Sequence, residues 1–295
     1  MEKRYESLTI FEFQEKFPDE HSCLLHLAGI KWANGYSCEK CSNTKYCKGN
    51  TELTRQCTKC HYQSSPTSGT LFHKVKFSIL KAFYIVYYMS TNKKGITSTE
   101  LSRKLGLRQK TCWFFRRKVM KAMTSSQQNP MMGTVEVDEM VVGQKEQGLK
   151  GRQKGKKKEV VVGIERQGNK VSRVYAKVVP NARSTELKAF FDAYISPNAK
   201  IRTDKWNGYT PLKEQYPLLK QVESGQKGCN FKDMHRVIMM IKSWLRGVHH
   251  SVEYLQEYLD AYCYRYNRHF MKAPIFDNLM VRMAEHPPCP QKLMY

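Results

Sequence analysis

Two aspartates and one helix carry most of the chemistry that this sequence can offer. Asp138 closes the β-branched run VEVDE, and Asp204 closes a second run, IRTDKW. Carboxylates at the ends of neighbouring strands can share hard cations, and two magnesium ions about 3.5–4 Å apart can activate an attacking oxygen while stabilising the leaving one. Strand-end aspartates are also ordinary turn formers, so the pair gains meaning only from what faces it. Glu136 and Glu139 stand beside Asp138 as rival ligands, and Glu136 shares its strand face. Downstream, NFKDMHRVIMMIKSWLRG at residues 230–247 reads as a helix with two opposite faces. His235, Lys242 and Arg246 fall within roughly 40° of one another, whereas Val237, Met240, Ile241, Trp244 and Val248 gather on the other side. One face can pack on a core while the other offers an imidazole and two cations. A solvated basic face on a surface helix gives the same pattern; the aspartates upstream favour a site.

A second cluster is built for metal. Cys38-Glu-Lys-Cys41 and Cys57-Thr-Lys-Cys60 are separated by 15 residues, a spacing that lets two knuckles present four thiolates tetrahedrally to zinc, as in a zinc ribbon. Four reduced cysteines without metal are the alternative, and Cys47 and His61 lie close enough to be substitute ligands. The set leaves no position for water, so the zinc is assigned to folding and not to catalysis. The remaining cysteines of the ten show no pairing pattern, which points to a reducing cytoplasm and not to a disulfide scaffold.

The chain of 295 residues carries 50 Lys+Arg against 26 Asp+Glu, a formal charge of +24. That excess is a footprint for polyanions, because each neutralised phosphate releases counterions. A membrane surface is the competing polyanion, but no apolar run approaches the ~20 residues of a spanning helix. The start MEKRYESLTIFEF lacks the basic and apolar blocks of a signal peptide. Nucleic acid is the partner expected.

The elements that must position these residues follow in order. Residues 1–68 hold a short helix, SLTIFEFQEKF, closed by Pro18, and then the ribbon. In residues 69–126, Ser98 or Thr99 caps a short helix containing Glu100, Gly106 supplies a turn, and a second helix starts near Gln109. This is the helix-turn-helix order, and Gln109, Lys110, Arg116, Arg117, Lys118 and Lys121 make its second helix a candidate for groove and phosphate contact; a three-helix packing domain with solvated basic residues is the alternative. After the linker TSSQQNP the pattern changes to strands: TVEVDEMVVG, KEVVVGIERQ and VSRVYAKVVP, then a helix capped by Ser184, then the strand ending at Asp204. Residues 133–270 thus have an α/β order compatible with a ribonuclease H-like sheet. The run KEQGLKGRQKGKKK, with Lys154, Lys156 and Lys157, reads as a mobile basic loop able to clamp a DNA backbone. Trp206 and Tyr209 are candidates for base stacking and equally for core packing. A packing helix follows, with Leu255, Leu259, Tyr262 and Tyr266 on one stripe and Arg265, Asn267 and Arg268 at its end as possible DNA contacts. Residues 271–295, with four prolines, read as a loosely ordered tail.

The order CxxC…CxxC, helix-turn-helix, VEVDE, TDKWNGY and a lysine-bearing helix resembles the DDE-type insertion-sequence transposases of the ISXO-like group. The ending WLRGVHH…LQEYLDAYCYRYNRH, Trp244 to His269, is similar to that group's C-terminal signature, and the likeness covers roughly residues 20–270. It implies a ribonuclease H-like, retroviral-integrase-like core behind a zinc ribbon and a helix-turn-helix module. The implied enzyme nicks and rejoins double-stranded DNA at element terminal inverted repeats, and inserts into target DNA, using divalent metal. It implies a homodimer or higher oligomer on DNA, at the nucleoid in the cytoplasm, with no membrane involved.

This chain departs from the family at the third catalytic position, where Glu is commonest. No Glu lies between Glu223 and Glu253. Asp233 is nine residues before Lys242, about 180° away on a helix; His235 is seven before, on the lysine's own face. The set expected is therefore Asp138, Asp204 and His235 as Mg or Mn ligands with Lys242 on phosphate, a DDHK variant. Imidazole suits magnesium poorly, so manganese should serve better than in all-carboxylate relatives. Two other readings stay open: a DNA-binding protein on a core that has lost catalysis, and a nuclease that cuts without joining.

Overall fold

In the computed structural model, the residues described are 8–143, 157–248, 253–269 and 274–290. They form two compact units, residues 1–123 with 271–295 and residues 124–270. Among the described residues no helix is long and apolar enough to cross a membrane.

The first unit opens on α1 (Ile10–Lys16), where the Thr9 hydroxyl accepts from the Glu12 N–H and the Glu12 carboxylate accepts from that of Thr9. Such a reciprocal cap satisfies two donors that a helix start otherwise leaves bare. Asp19 and Ser22 repeat the device at α2 (Glu20–Lys31). Three short antiparallel strands follow: β1 (Tyr46–Lys48), β2 (Arg55–Cys57) and β3 (Gln63–Ser64). Next come α3 (Ile79–Thr91), α4 (Ser98–Leu105) and α5 (Gln109–Ala122). Thr97, one residue ahead of the expected caps, accepts from the Glu100 N–H to start α4. Gly106 ends it at φ 60°, the left-handed conformation that only glycine takes without a Cβ penalty. α4, the turn at Gly106 and α5 follow one another along the chain.

The described part of the expected tail is largely helical. Residues Pro274–Glu285 form a helix, labelled α9 in chain order, whose Phe276, Leu279, Met280 and Met283 are fully buried against α2, α3 and α5. Prolines at 287, 288 and 290 come after its end, where they cannot break it.

The second unit is a five-stranded mixed sheet. Its strands are β4 (Thr134–Val142), β5 (Lys158–Gln167), β6 (Lys170–Val179), β7 (Lys200–Thr203) and β8 (Leu219–Gln221), in the order β6-β5-β4-β7-β8. The first three pair antiparallel; β7 and β8 join parallel. Three antiparallel strands extended on one side by parallel ones is the ribonuclease H-like arrangement. Between β6 and β7 runs α6 (Ser184–Tyr194), whose Leu187, Phe190 and Phe191 pack with Val135, Val137, Val161 and Ile201. By strand alternation Glu136 and Asp138 point to the opposite face, where α7 (Lys232–Val248) packs on β4 and β5.

The edge strand β6 is closed by α8 (Leu255–Tyr266) and the residue after it. The Gln256 side chain bonds Val178 N and Ala176 O, and Asn267 bonds Val174 N and O. Two side-chain amides thus satisfy backbone groups that an open edge would expose. Asn267, expected as a DNA contact, is spent on this edge. Arg265 is held in low-polarity surroundings that bring its guanidinium down to about 10.

Candidate active site and metal centres

The register of the sheet explains why carboxylates meet at Asp138. Parallel pairing of β4 with β7 ends at Val137 opposite Thr203, so Asp138 and Asp204 each stand one residue past the last paired position. Asp138 does not close its strand, as the sequence suggested: β4 runs on to Val142, paired only with β5. One side of β4 thereby loses its neighbour at the level of Asp138, and a gap opens there. Ligand oxygens of Asp138, Glu139 and Asp204 all lie within 4.8 Å of one another. Backbone N–H groups orient two of them: Glu139 N donates to Asp138 Oδ1 at 2.8 Å, and Trp206 N to Asp204 Oδ1 at 3.0 Å. Three clustered carboxylate oxygens are the donor set that hard divalent cations take, so the chemistry of the site fits magnesium or manganese.

His235 stands in the first turn of α7, its Nε2 at 3.7 Å from Asp138 Oδ2. The short 3-10 turn before the helix, Gln226–Phe231, lays Gly228 against the ring. Gly228 has φ +71°, and a Cβ there would overlap the imidazole Cε1 and Nδ1. Glycine is therefore required twice over, for its backbone and for the room it leaves. Lys242 lies along the same helix. Burial lowers its pKa, the charge of Asp138 opposes that shift, and Arg246 adds to it. Arg246, one turn further along the helix, is exposed.

Glu136, the rival that strand parity put beside Asp138, is elsewhere. It is 1% exposed and takes Arg202 at 3.2 Å and Arg166 at 3.4 Å; burial raises its pKa and the two arginines pull against that rise. Arg166 also reaches Asp233 at 3.3 Å, and Asp233 holds Arg236 at 3.0 Å. Arg202 donates to the Asn230 carbonyl at 3.1 Å. Charges from β4, β5 and β7 thus clamp the start of α7, and Asp233 serves that clamp. On the outer face of α7, Met240 is 43% exposed instead of packed as the periodicity suggested.

Trp206 donates its indole N–H to the Ala182 carbonyl at 2.9 Å. Tyr209 is 0% exposed, so it cannot stack on a base; its hydroxyl donates to Glu139 Oε1 at 2.6 Å.

The second centre is the ribbon. Cys38, Cys41, Cys57 and Cys60 bring all four sulfurs within 4.8 Å, with Cys38–Cys60 at 3.5 Å and Cys41–Cys57 at 3.6 Å. A zinc tetrathiolate with bonds of about 2.3 Å has S···S edges of about 3.8 Å, so the spacing fits. Burial opposes ionisation of Cys57, but the Cys60 N–H, the Asn43 amide and the Lys59 N–H outweigh it and bring the thiol to about 6. Cys41, although the Asn43 N–H favours its thiolate, faces the other sulfurs and is pushed up to about 12. A shared cation resolves that conflict. Cys47 bonds the Gln56 carbonyl, and His61 faces the Gln56 amide; neither joins the sulfur group. Beneath it, the Lys31 ammonium binds Ser64 Oγ, the carbonyls of Ser65 and Ser68, and Glu39 at 2.8 Å, fastening α2 to the ribbon.

The basic residues of α5 divide. Gln109 and Lys110 are exposed at its start, and Gln109 donates to Ser98 Oγ at 2.7 Å, which ties α5 to α4. Arg116 and Arg117 are 4% and 3% exposed, and Arg117 lies over the Trp113 ring. They are packing groups and not phosphate contacts. Lys118 is half-buried and donates to the Leu71 carbonyl; Lys121 is half-buried. Three exposed cations that the sequence reading passed over, Arg103, Lys104 and Arg108, surround the turn. Lys154 and Lys156 fall outside the described residues, and Lys157 rests against Gly143.

Residues 130–267 match the family model of the ISXO2-like transposase domain, and residues 18–63 that of the transposase zinc-ribbon domain. The first segment contains the carboxylate group, His235 and Lys242; the second contains all four ribbon cysteines. No curated protein matches the chain. A solved structure described as "Crystal structure of a pre-cleavage Mos1 transpososome" is similar over 70% of this chain and 79% of that one, at 11% identity and a TM-score of 0.29.

Proposed function

Because this chain belongs to the ISXO2-like DDE transposases and carries their zinc ribbon, we propose that it cuts double-stranded DNA at the ends of an insertion sequence and joins the freed 3′ ends to target DNA. The observation that carries this reading is the meeting of Asp138 and Asp204 oxygens within 4.8 Å, with His235 3.7 Å from Asp138. All three lie inside the segment matched by the transposase-domain model.

In this reading Asp138 and Asp204 hold divalent metal, Mg²⁺ or Mn²⁺, and His235 completes the set. The metal, when bound, supplies an activated oxygen and neutralises charge on the leaving one. The chain's own residues do the rest. Asp138, fixed through Oδ1, keeps Oδ2 toward the imidazole. Lys242 presents its ammonium to the phosphate beside the carboxylates, and Arg246, a turn further and exposed, engages the next part of the backbone. Water attacks the phosphodiester first, and the 3′-hydroxyl so released attacks the target.

DNA is engaged by the net charge of +24 and by the exposed cations around the turn between α4 and α5. Lys110 and Arg108 stand at the start of α5, where bare N–H groups add favourable field for phosphate. Lys110→Ala is expected to weaken binding to all sequences alike and to reduce the salt slope of log K by about 1. Fluorescence anisotropy across a salt series checks this; an unchanged slope would place Lys110 off the DNA. Assembly as a dimer or higher oligomer on paired ends, and a cytoplasmic site of action at the nucleoid, belong to the same proposal.

A strand-transfer assay with element-end DNA and Mg²⁺ or Mn²⁺ tests the whole. Joined products support transposition, nicks alone indicate a nuclease, and tight binding without cleavage indicates a DNA-binding protein. The choice of third residue has its own test. His235→Ala is expected to lose cleavage while keeping fold and DNA affinity. Asp233→Ala is expected to keep measurable cleavage but to lower stability by about 1 kcal/mol, because Arg166 is part-exposed and keeps its pairing with Glu136. Inactivity of Asp233→Ala beside an active His235→Ala would reverse the assignment.

A further inference from the structure

We propose that Glu139 is a metal ligand of this site, held in place by Tyr209, and that it supplies the hard oxygen that the imidazole of His235 does not. The inference deepens the transposase reading and rests on it.

The first ground is position. Glu139 follows Asp138 on β4, so strand alternation sends the two side chains to opposite faces of the sheet. Its ligand oxygen nevertheless lies within 4.8 Å of those of both Asp138 and Asp204. This happens because β7 has ended by that level: with β5 on one edge of β4 only, both faces open into the same space along the other edge. His235 approaches from the α7 side, to 3.7 Å from Asp138, and Glu139 from the α6 side.

The second ground is the group that aims it. Tyr209 comes from the 3-10 turn Asn207–Lys213 just after Asp204, is fully buried, and packs its ring near Phe191. It places its hydroxyl 2.6 Å from Glu139 Oε1. Burial of a tyrosine hydroxyl needs an acceptor, and here the acceptor is a carboxylate at the edge of a cation site, not a backbone carbonyl in the core. A carboxylate can accept from Tyr209 through one lone pair and still coordinate through others. Tyr209 therefore fixes the rotamer without using up the ligand.

The third ground is donor chemistry. Magnesium takes oxygen ligands in near-ideal octahedral geometry, and imidazole nitrogen suits it poorly. Two aspartates with waters and substrate phosphate can hold it, but the histidine adds no hard oxygen at the third position; Glu139 brings the carboxylate count to three. This chain should then use Mg²⁺ more readily than its histidine alone would suggest.

Glu139→Gln is the discriminating variant, because the amide oxygen still accepts from Tyr209 while the charge is gone. If Glu139 is only a partner for Tyr209, the change removes long-range attraction for any divalent ion alike and leaves the Mg²⁺/Mn²⁺ rate ratio unchanged. Mn²⁺ titration of the full zinc-loaded chain, followed by calorimetry and Mn²⁺ electron paramagnetic resonance, is run on wild type, Glu139→Gln, Tyr209→Phe and Asp138→Asn. Glu139→Gln should weaken Mn²⁺ binding at least 10-fold. Its residual cleavage should lean on manganese, the Mg²⁺/Mn²⁺ rate ratio falling at least 10-fold. Tyr209→Phe keeps the carboxylate but frees its rotamer, and should weaken Mn²⁺ binding a few-fold with the rate ratio little changed. Wild-type Mn²⁺ affinity in Glu139→Gln, with affinity lost in Asp138→Asn, overturns the role of Glu139 and leaves the transposase reading standing. Wild-type affinity in Asp138→Asn as well removes the metal site itself.

Discussion

Asp138→Asn, and separately Asp204→Asn, will stop DNA cleavage while leaving DNA binding intact. Metal-ion catalysis supplies several kcal/mol of transition-state stabilisation, and at about 1.4 kcal/mol per tenfold the loss of a ligand should slow cleavage by about 10³-fold or more. Asparagine is the informative replacement because it keeps what the aspartates do structurally. Asp138 Oδ1 accepts from Glu139 N and Asp204 Oδ1 from Trp206 N, and a side-chain amide oxygen accepts both bonds. The fold should therefore survive, with melting temperatures close to wild type. Affinity for DNA comes from phosphate neutralisation, and removing a negative charge from a chain of +24 cannot weaken it. Single-turnover cleavage of element-end DNA, beside equilibrium binding at one salt concentration, reads both. Full cleavage by both variants would show that the chemistry resides elsewhere.

What could be read from the sequence is what depends on spacing along one element. Four cysteines in two knuckles, and His235 seven residues before Lys242 on a helix, are fixed by local geometry. The order of strands and helices in the second unit followed from periodicity in the same way. Misreadings arise where a distant segment decides. Arg116 and Arg117 looked like phosphate contacts on an isolated helix, but α5 is packed by α3, α4 and α9 together. The last of these arrives from a segment more than 150 residues away, with Arg282 Nε donating to the Ala122 carbonyl at 2.5 Å. Three neighbours bury more than one stripe, so the guanidinium stems became packing material.

Of the two rival ligands beside Asp138, Glu139 joins the carboxylate group, whereas Glu136 was misjudged for the mirror-image reason. Period-2 alternation put Glu136 with Asp138, which is right about the face and wrong about the depth. Glu136 lies where β7 still pairs, with Arg202 directly opposite in register and Arg166 close on β5. There a carboxylate must take arginine partners to be buried at all. Glu139 lies where β7 has gone, and alternation no longer separates the two faces. Nothing in the local run VEVDE records where a neighbouring strand stops.

Zinc removal should have the largest effect on stability. The ribbon sheet has strands of 3, 3 and 2 residues, and its buried apolar cluster is Tyr36 with Cys38 and Cys57, backed by Trp32 and Tyr62. A sheet so small is at best marginally stable by itself. Structural zinc contributes about 10–16 kcal/mol of apparent binding free energy, against the roughly 5–15 kcal/mol that stabilises an entire domain; the metal term exceeds anything this cluster can supply. Cys57→Ser, or chelation of the wild type, should therefore take zinc from one ion per chain to none and expose residues 36–64 to proteolysis. The Lys31 ammonium loses its partners on Ser64 and Ser68 when the ribbon opens, so α2 should loosen with it. Residues 124–270 keep their own core of Val135, Val161, Phe190 and Ile201 and should resist cleavage as before. Cys47→Ser is the control, since its thiol is exposed and bonds only the Gln56 carbonyl among the contacts described; it should retain zinc. Metal analysis by mass spectrometry with limited proteolysis decides the matter: a Cys57→Ser chain that keeps its zinc and its protease resistance would mean that the four sulfurs hold the ribbon together without a metal.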